Sequence, residues 1–508
     1  MIRYWHWLAV QKKGVEYYII RGLFNTNENI DNVVSNNFIM GVQPVQKTLN
    51  SDNTWEIKYL KTNAISSLGS SSDKLVSIDC SDADDFEHIT SVRYMFSGCT
   101  ELIDVDFSNA LFQSVTNTEG MFFMCSKLES VDLNKAIFRQ AISASLFQNC
   151  SALKYVDLHS ATFENVVNAA NVFSGLNKLI NVDLHSATFE KAKCTSYMFN
   201  NCSKLKSIDL HSATFEKVSS NYSASNTSAI YMFYGCSELE TIDLSSATFA
   251  DVDIVNYMFS DCISLETIDL RNALLDSNVI GTYAMFSGCT SLKTIDLRNS
   301  VFTMSNTGAI SSQETCAAMF SNCSSLTSLN LSKAVFENTL STLSMFYGCS
   351  SLVTLDLSKA TFRKTTNTRY MFYGCSSLVT LDLRLATFES STDASYMFQN
   401  CTNLTTLYLN SASFSNINTY RLYGMFENCG SLTTLVLPHT SSFIYDDLDF
   451  SDCVLLSETS IEHISYWIGT YNDYSYKVKI SQQAWNNVQN KTTIRNRIEG
   501  KGWQLQLV

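Results

Sequence analysis

The segment Asp-Leu-His-Ser occurs three times, at Asp157–Ser160, Asp183–Ser186 and Asp209–Ser212. Carboxylate, imidazole and hydroxyl are the groups of a nucleophilic triad, and His159, His185 and His211 at one repeat position are candidate zinc ligands. Neither chemistry suits the pattern. A single active site needs one copy, and a straight ladder of imidazoles makes a poor tetrahedron. Duplication of one repeat explains the identity more simply. Gly-x-Ser-x-Gly, His-Glu-x-x-His, a phosphate loop and Gly-x-Gly-x-x-Gly are all missing from the sequence. The residues therefore predict a non-enzyme with no metal and no cofactor.

Binding chemistry is better represented. An Asp recurs at one position: Asp106, Asp132, Asp157, Asp183, Asp209, Asp243, Asp269, Asp296, Asp356 and Asp382, with Asn330 and Tyr408 interrupting. Stacked about 4.8 Å apart, such carboxylates repel by roughly 1 kcal/mol in water and about 3–4 kcal/mol at an effective dielectric near 20. Two residues on stand His159, His185, His211, Arg271, Arg298 and Arg384, a basic column placed to offset that cost. The strip reads either as a solvated face with local pairing or as a charged recognition strip. Tyrosines form a second candidate. Tyr94, Tyr197, Tyr231, Tyr257, Tyr370 and Tyr396 precede a Met-Phe pair; Tyr234, Tyr347 and Tyr373 follow one. Rings with a polar tip suit glycan stacking and protein interfaces, or they stack on one another along the molecule. If the segment is extended, alternation sets them opposite a buried Phe.

The element that must position these groups is a repeat. Met-Phe-x-x-Cys recurs about every 26 residues, from Met95-Phe96 to Met425-Phe426. The unit is M-F-x-x-C-x-x-L-x-x-I-D-L-x-x-A-x-F with a variable tail. In Leu205–Leu210, Ile208 and Leu210 share one strand face and Asp209 takes the other. A fixed period of this length specifies a stacked array whose short strands form a parallel sheet over one continuous core. Two steps are lengthened by eight residues, near Ser219–Ser228 and Ser305–Gln313. Insertions at one place in a repeat project from one face, often the binding face; Asn221, Tyr222, Asn226 and Asn306 are the candidates there.

Thirteen of the 16 cysteines fall at the repeat's Cys position, where the fourth repeat has Leu176. A site that accepts Leu wants a small apolar group, so the column reads as buried thiols. Cys194 and Cys316 lie outside the column, in variable segments, and could be exposed. Charged residues make up 16% of 508, with a formal net charge of −13. That balance excludes nucleic acid, which needs basic clusters, and no apolar run reaches membrane-spanning length. The surface is left rich in Ser, Thr, Asn and Tyr, which suits neutral polar ligands. The first residues form no recognisable signal peptide.

Residues 1–73 lack the repeat and carry β-prone runs at Val15–Ile20 and Trp55–Leu60. They read as a β-rich cap or attachment module. Residues 74–453 are the array, of about 14 turns. Residues 454–508 are an α/β cap: Thr459-Ser460-Ile461-Glu462 has the form of a capping box, and Ile461, Ile464, Trp467 and Ile468 follow at helical spacing before Gly469. Trp503, Leu505 and Leu507 alternate as a last strand.

The pattern M-F-x-x-C-x-x-L-x-x-L-D-L over residues 74–453 resembles the BspA-like leucine-rich repeats of bacterial surface proteins. The closing Lys501-Gly502-Trp503 resembles the segment that ends such arrays. Ala-Thr-Phe (Ala161–Phe163) stands where that family usually has Asp-Thr-Ser. The resemblance implies a leucine-rich-repeat solenoid that adheres to host matrix proteins, cells or surface glycans; similar arrays occur in phage virion proteins. The expected function is non-enzymatic recognition of a cell-surface glycan or protein, at a virion or cell surface. The other reading is a structural spacer in contact with other virion or surface-layer proteins.

Overall fold

The computed structural model describes the chain from Trp7, apart from residues 13–14, 23–45, 50–54, 61–75, 80–89, 139–145, 190–193, 216–228, 245–247, 250–253, 271–280, 298–315, 332–335, 410–420, 439–445 and 472–475 and single or paired positions within a few turns. The chain packs as two units, Met1–Val252 with Asn272–Leu274, and Asp253–Arg271 with Leu275–Val508. Both are built from the expected parallel coils, a leucine-rich-repeat solenoid.

The first unit opens with an antiparallel four-stranded sheet in the order Trp7–Lys12, Val15–Gly22, Trp55–Leu60, Gln46–Leu49. Val15–Gly22 lies beside Ser77–Asp79, the first strand of the array. From there a seven-stranded parallel sheet runs through Asp104–Asp106, Ser130–Asp132, Tyr155–Asp157, Asn181–Asp183 and Ser207–Asp209 to Thr241–Asp243. The register sets like on like: Ile208 faces Val182 and Ile242, and Asp209 faces Asp183 and Asp243. The middle residue points into the core, as alternation requires. The Ala-Thr-Phe segments add a second parallel ladder, Thr188–Phe189, Thr214–Phe215 and Thr248–Phe249.

The second unit repeats the scheme. Thr267–Asp269 pairs with Thr294–Asp296, Ser328–Asn330 with Thr354–Asp356, and Thr380–Asp382 with Thr406–Tyr408 and then Thr434–Val436. Leu448–Phe450, Lys477–Ile480 and Gln504–Leu507 close it as a parallel sheet.

The Met-Phe segment is not extended. It is a series of turns, in which Met95 N–H donates to Val92 O (3.1 Å), Cys99 N–H to Phe96 O (3.1 Å) and Leu102 N–H to Cys99 O (3.1 Å). The intervening amides bond to the next coil: Phe96 N–H to Met121 O and Gly98 N–H to Phe123 O, each 2.8 Å. Met95 and Phe96 are therefore both buried, which strict alternation forbids. The residue before Cys takes a left-handed conformation, which explains why it is so often Gly, Asn or Asp, as at Gly98, Asn201 and Asp261.

Stacking coils in register stacks the rings. Phe320, Phe346 and Phe372 follow one another at 5.7 and 5.5 Å with planes 0° and 11° apart. Phe138, Phe163 and Phe189 form a second column at 5.2 and 4.9 Å. The cysteines do more than fill space. Most of the column's thiols donate to the carbonyl of the Phe one coil earlier, as Cys125 Sγ to Phe96 O (3.0 Å) and Cys375 Sγ to Phe346 O (3.2 Å). All described cysteines are free thiols. Burial pushes Cys150 and Cys349 up to about 12, so the thiolate needed for reaction is scarce. Cys194 is partly exposed, as the sequence allows. Cys316, which the sequence equally leaves free to be exposed, is instead buried between the hydroxyls of Thr282 (3.4 Å) and Thr339 (3.6 Å).

The first of the cap's three described helices, which is followed by Gln482–Asn486 and Lys491–Gly500, begins two residues earlier than the capping-box reading places it. Ser457 is its N-cap, accepting from Ser460 N–H at 3.3 Å, and the helix spans Glu458–Trp467. Ser460 Oγ in turn holds the last array strand, accepting from Leu435 N–H and donating to Thr433 O, both at 2.9 Å. Glu462, displaced from the capping role, faces Arg497 at 3.4 Å. The Lys-Gly-Trp motif closes the cap. Lys501 Nζ donates to the Tyr466 and Ile468 carbonyls (2.8 and 2.7 Å), and Trp503 Nε1 to Gly469 O (2.9 Å). At Gly502 (φ +81°), a Cβ would meet Tyr471 O at 1.9 Å.

Phe259 is fully buried and stacks on Phe286 at 5.5 Å. Phe259→Ala is expected to cost about 3–5 kcal/mol locally; an unchanged urea midpoint would contradict its place in the core. Among the described cysteines, maleimide at pH 8 should label Cys194 and spare the thiol column. Peptide mass mapping of the native protein reads this directly, and equal labelling of Cys349 would show that the column is open.

Candidate recognition surface

The sequence offers two exposed strips, and the structure gives them different work. At the strand end, where the following turn is described, the Asp accepts the amide two residues on: Asp106 from Ser108 (2.9 Å), Asp132 from Asn134 (2.9 Å), Asp157 from His159 (2.8 Å), Asp183 from His185 (2.9 Å), Asp209 from His211 (2.8 Å) and Asp382 from Arg384 (3.0 Å). This turn ends each strand after three residues. The column is thus first a folding device, which accounts for its tolerance of like charges in register.

Where it is described, the basic column stands beside the carboxylates. His159 Nδ1 lies 3.8 Å from Asp183 and His185 Nδ1 3.6 Å from Asp209, each on the following coil. The three imidazoles stack at 5.0 and 5.1 Å. Arg384 instead forks onto Asp382 of its own coil, at 2.6 and 2.9 Å. That guanidinium holds Asp382 below the usual carboxylate range. Asp132, half-buried and flanked by Asp106 and Asp157, has no cationic partner of this kind among the described residues. Burial first, then its carboxylate neighbours, raise it to about 6, although the Asn134 amide opposes them. Asp243 and Asp269 are exposed at their strand ends. Asp296 ends the strand Thr294–Asp296, but its side chain lies outside the described set. Arg271, Arg298, Asn221, Tyr222, Asn226 and Asn306, with both insertions, also lie outside the described residues.

The tyrosines gather at the Met-Phe turns. In the first unit Tyr197 stacks on Tyr231 (5.0 Å), which meets Tyr234 edge-on (5.2 Å). In the second, Tyr257 meets Tyr283 edge-on at 5.0 Å. A larger cluster follows: Tyr347 stacks on Tyr373 (4.7 Å), Tyr370 on Tyr396 (5.0 Å), Tyr370 abuts Tyr373 edge-on (5.6 Å) and Tyr396 abuts Tyr423 (5.4 Å). The ring faces along the column are largely turned to one another. Tyr423, at its end, is the most open, with 62% of its surface exposed.

Arg369 lies over this cluster, 4.6 Å from the centre of Tyr370 and 5.6 Å from that of Tyr396, with Nη2 donating to the Tyr370 hydroxyl at 2.8 Å. The sequence reading overlooked Arg369 and Tyr423. The sign was present, because Arg-Tyr-Met-Phe occurs at Arg93–Phe96 and again at Arg369–Phe372. Arg93 likewise lies over Tyr94 at 4.9 Å.

The coils, their turns and their buried Met, Phe, Cys and Leu columns match the family model of the BspA type leucine rich repeat region, in six copies, over residues 64–170, 118–230, 224–313 and 313–457. The chain belongs to that family. BspA-type repeats are known for surface adhesion and protein binding, and the strips described above are what this member exposes. Comparison with curated proteins finds none that matches. Among the described residues, no helix of this BspA-type chain is long and apolar enough to cross a membrane, and no cluster of three or more His, Cys, Asp or Glu is arranged to hold a metal ion.

Asp132 supplies a pH test. Its folded-state value stands above the ordinary 3.8, so the native state binds the proton more tightly. Its contribution to stability therefore worsens as pH rises from about 4 through about 6. Asp132→Asn keeps an oxygen for the Asn134 amide and removes the charge. It should raise the melting temperature at pH 7–8, with the gain fading towards pH 4. A gain that is constant over that range would show that charge is not the cause.

Proposed function

We propose that this protein is a non-enzymatic recognition protein that binds a cell-surface glycan or protein through its Tyr-rich polar surface, displayed on a virion or a bacterial surface. The observation that carries the reading is the tyrosine cluster of the second unit, with Tyr347, Tyr370, Tyr373, Tyr396 and Tyr423 in ring contact around the Met-Phe turns of successive coils. Hydrophilic rings held rigidly by their neighbours lose little entropy when a ligand docks. Tyr231, Tyr234 and Tyr257 extend the same chemistry to other coils. Family membership supports adhesion in general; the choice of glycan or protein on a cell surface is this proposal's own. The insertions bearing Asn221, Tyr222, Asn226 and Asn306 would add contacts, as would the strip that includes Asp209, Asp243, Asp269, Asp296, Arg271 and Arg298. Residues 1–73 would serve for attachment.

One observation favours the structural reading instead. Ring-on-ring pairing uses up much of the tyrosine surface, as a spacer's edge would require. Binding of the fluorescently labelled full chain to host cells separates the two. Tyr396→Ser with Tyr423→Ser should reduce cell binding by about tenfold or more while the thermal unfolding transition is kept. Undiminished binding would remove the cluster from the interface. Absence of binding by the parent chain would leave the spacer.

A further inference from the structure

The two Arg-Tyr-Met-Phe turns differ in one neighbour. On the coil after Arg93, Glu119 bridges the pair: its carboxylate lies 3.0 Å from Arg93 Nε and accepts from the Tyr94 hydroxyl at 3.0 Å. The coil after Arg369 has Ser395 at that position. The correspondence is fixed by backbone bonds, since Tyr94 N–H donates to Glu119 O (2.9 Å) and Tyr370 N–H to Ser395 O (3.1 Å). The coil before Arg369 offers Leu343, whose place is set by the bond from Ala318 N–H to Leu343 O (2.8 Å). Arg369 thus repeats the Arg93 placement over a tyrosine without its carboxylate. Its Nε is buried and, among the described residues, has no hydrogen-bond partner, and the nearby acid Asp393 is already taken by Arg421.

We infer that the Arg369–Tyr370 turn is a carboxylate-binding site, and that the group it takes is an acidic sugar of a largely neutral surface glycan. The inference rests on reading the tyrosine cluster as a recognition surface. The internal Glu119 contact shows the geometry that this turn makes with a carboxylate: a guanidinium nitrogen and a phenol hydroxyl, one to each oxygen. A ligand carboxylate takes Glu119's role at Arg369, with the guanidinium turning on its flexible stem to present Nε. The next sugar then reaches Tyr396 and the open Tyr423, where C–H faces stack on aromatic rings. A densely charged polyanion is disfavoured, because the chain itself carries −13. One acidic sugar among neutral ones matches one unpaired arginine among tyrosines.

The test is a glycan array probed with the full chain, followed by titration with the best acidic oligosaccharide and its carboxyl-reduced form. Arg369→Gln should weaken binding of the acidic form by about tenfold or more and leave the reduced form unchanged. Arg93→Gln should change neither. Ser395→Glu should close the site by supplying an internal carboxylate, with Ser395→Gln as the control for size. Equal binding of acidic and reduced forms, or indifference to Arg369→Gln, overturns the inference. If cell binding persists and depends on Tyr396 and Tyr423 but resists enzymatic removal of acidic sugars, the recognition reading stands and this site falls. If binding follows an acidic peptide and the array is blank, the glycan assignment is overturned. If the parent chain binds no cells, the broader reading fails first.

Discussion

The inter-coil backbone ladder is the constraint on which the rest depends. Amides of the Met-Phe turn that do not close a local turn bond to a carbonyl one coil on, as in Phe346 N–H to Met371 O (2.9 Å) and Phe372 N–H to Met397 O (2.9 Å). These groups are buried, so leaving them unpaired would cost roughly 1–3 kcal/mol each. The ladder therefore holds successive turns in register, and register forces identical side chains onto one another. Phe must tolerate Phe, and Asp must tolerate Asp. A change at one coil is felt by two neighbours, which is why the consensus is so strict at Met, Phe, Cys and Leu.

Cysteine at the fifth consensus position follows from the same ladder. The Phe carbonyl already accepts the Cys amide of its own coil, as Cys375 N–H to Phe372 O at 3.2 Å. The thiol of the next coil adds a second donor, Cys401 Sγ to Phe372 O at 3.1 Å. A thiol is apolar enough to be fully buried and still carries a weak donor. Serine would carry a stronger desolvation cost and alanine no donor. Leu176 shows that the position can fill space without donating, since the Phe147 carbonyl keeps the Cys150 amide. The column thus stabilises the coil by a combination of burial and weak hydrogen bonding, not by reactivity.

The period, the parallel strands and the buried columns were legible because they repeat: one residue pattern seen a dozen times averages away local ambiguity. What occurs once was not. Extended geometry at Tyr370 was a reasonable expectation from alternation, but positive φ at Tyr94, Tyr197, Tyr231, Tyr257, Tyr370 and Tyr396 (52–59°) makes the segment a turn. A bulky residue in that conformation is strained, and here the coil-to-coil bonds hold it there. The helix start was misplaced for a similar reason. Ser457 and Thr459 can each serve as N-cap and only Thr459, with Glu462, completes a capping box, but contact of Ser460 with Leu435 and Thr433 selects Ser457. The Asp column was read by its charge, whereas its hydrogen bonds to the following amides are what the fold uses.

Repetition also explains why the candidate site resisted reading. In a solenoid, function cannot reside in what every coil shares, because that is consumed by packing. It must reside where the coils differ on an exposed position. The residue two before Met is Arg93, Glu119, Ser196, Ile230, Asn256, Tyr283, Ala317, Leu343, Arg369, Ser395 and Tyr423 on different coils; it is buried at Ser196, Ala317 and Ser395 and at least partly exposed at the others. Pairing along the stack then decides the chemistry. Arg93 next to Glu119 is a satisfied surface ion pair, worth little to stability and closed to ligands. Arg369 next to Ser395 keeps the same cation–ring contact with no carboxylate paired to it among the described residues. Two nearly identical sequence motifs thus differ in chemical availability because of a residue about 26 positions away. In such a fold, a motif has to be read together with the coil that stacks on it.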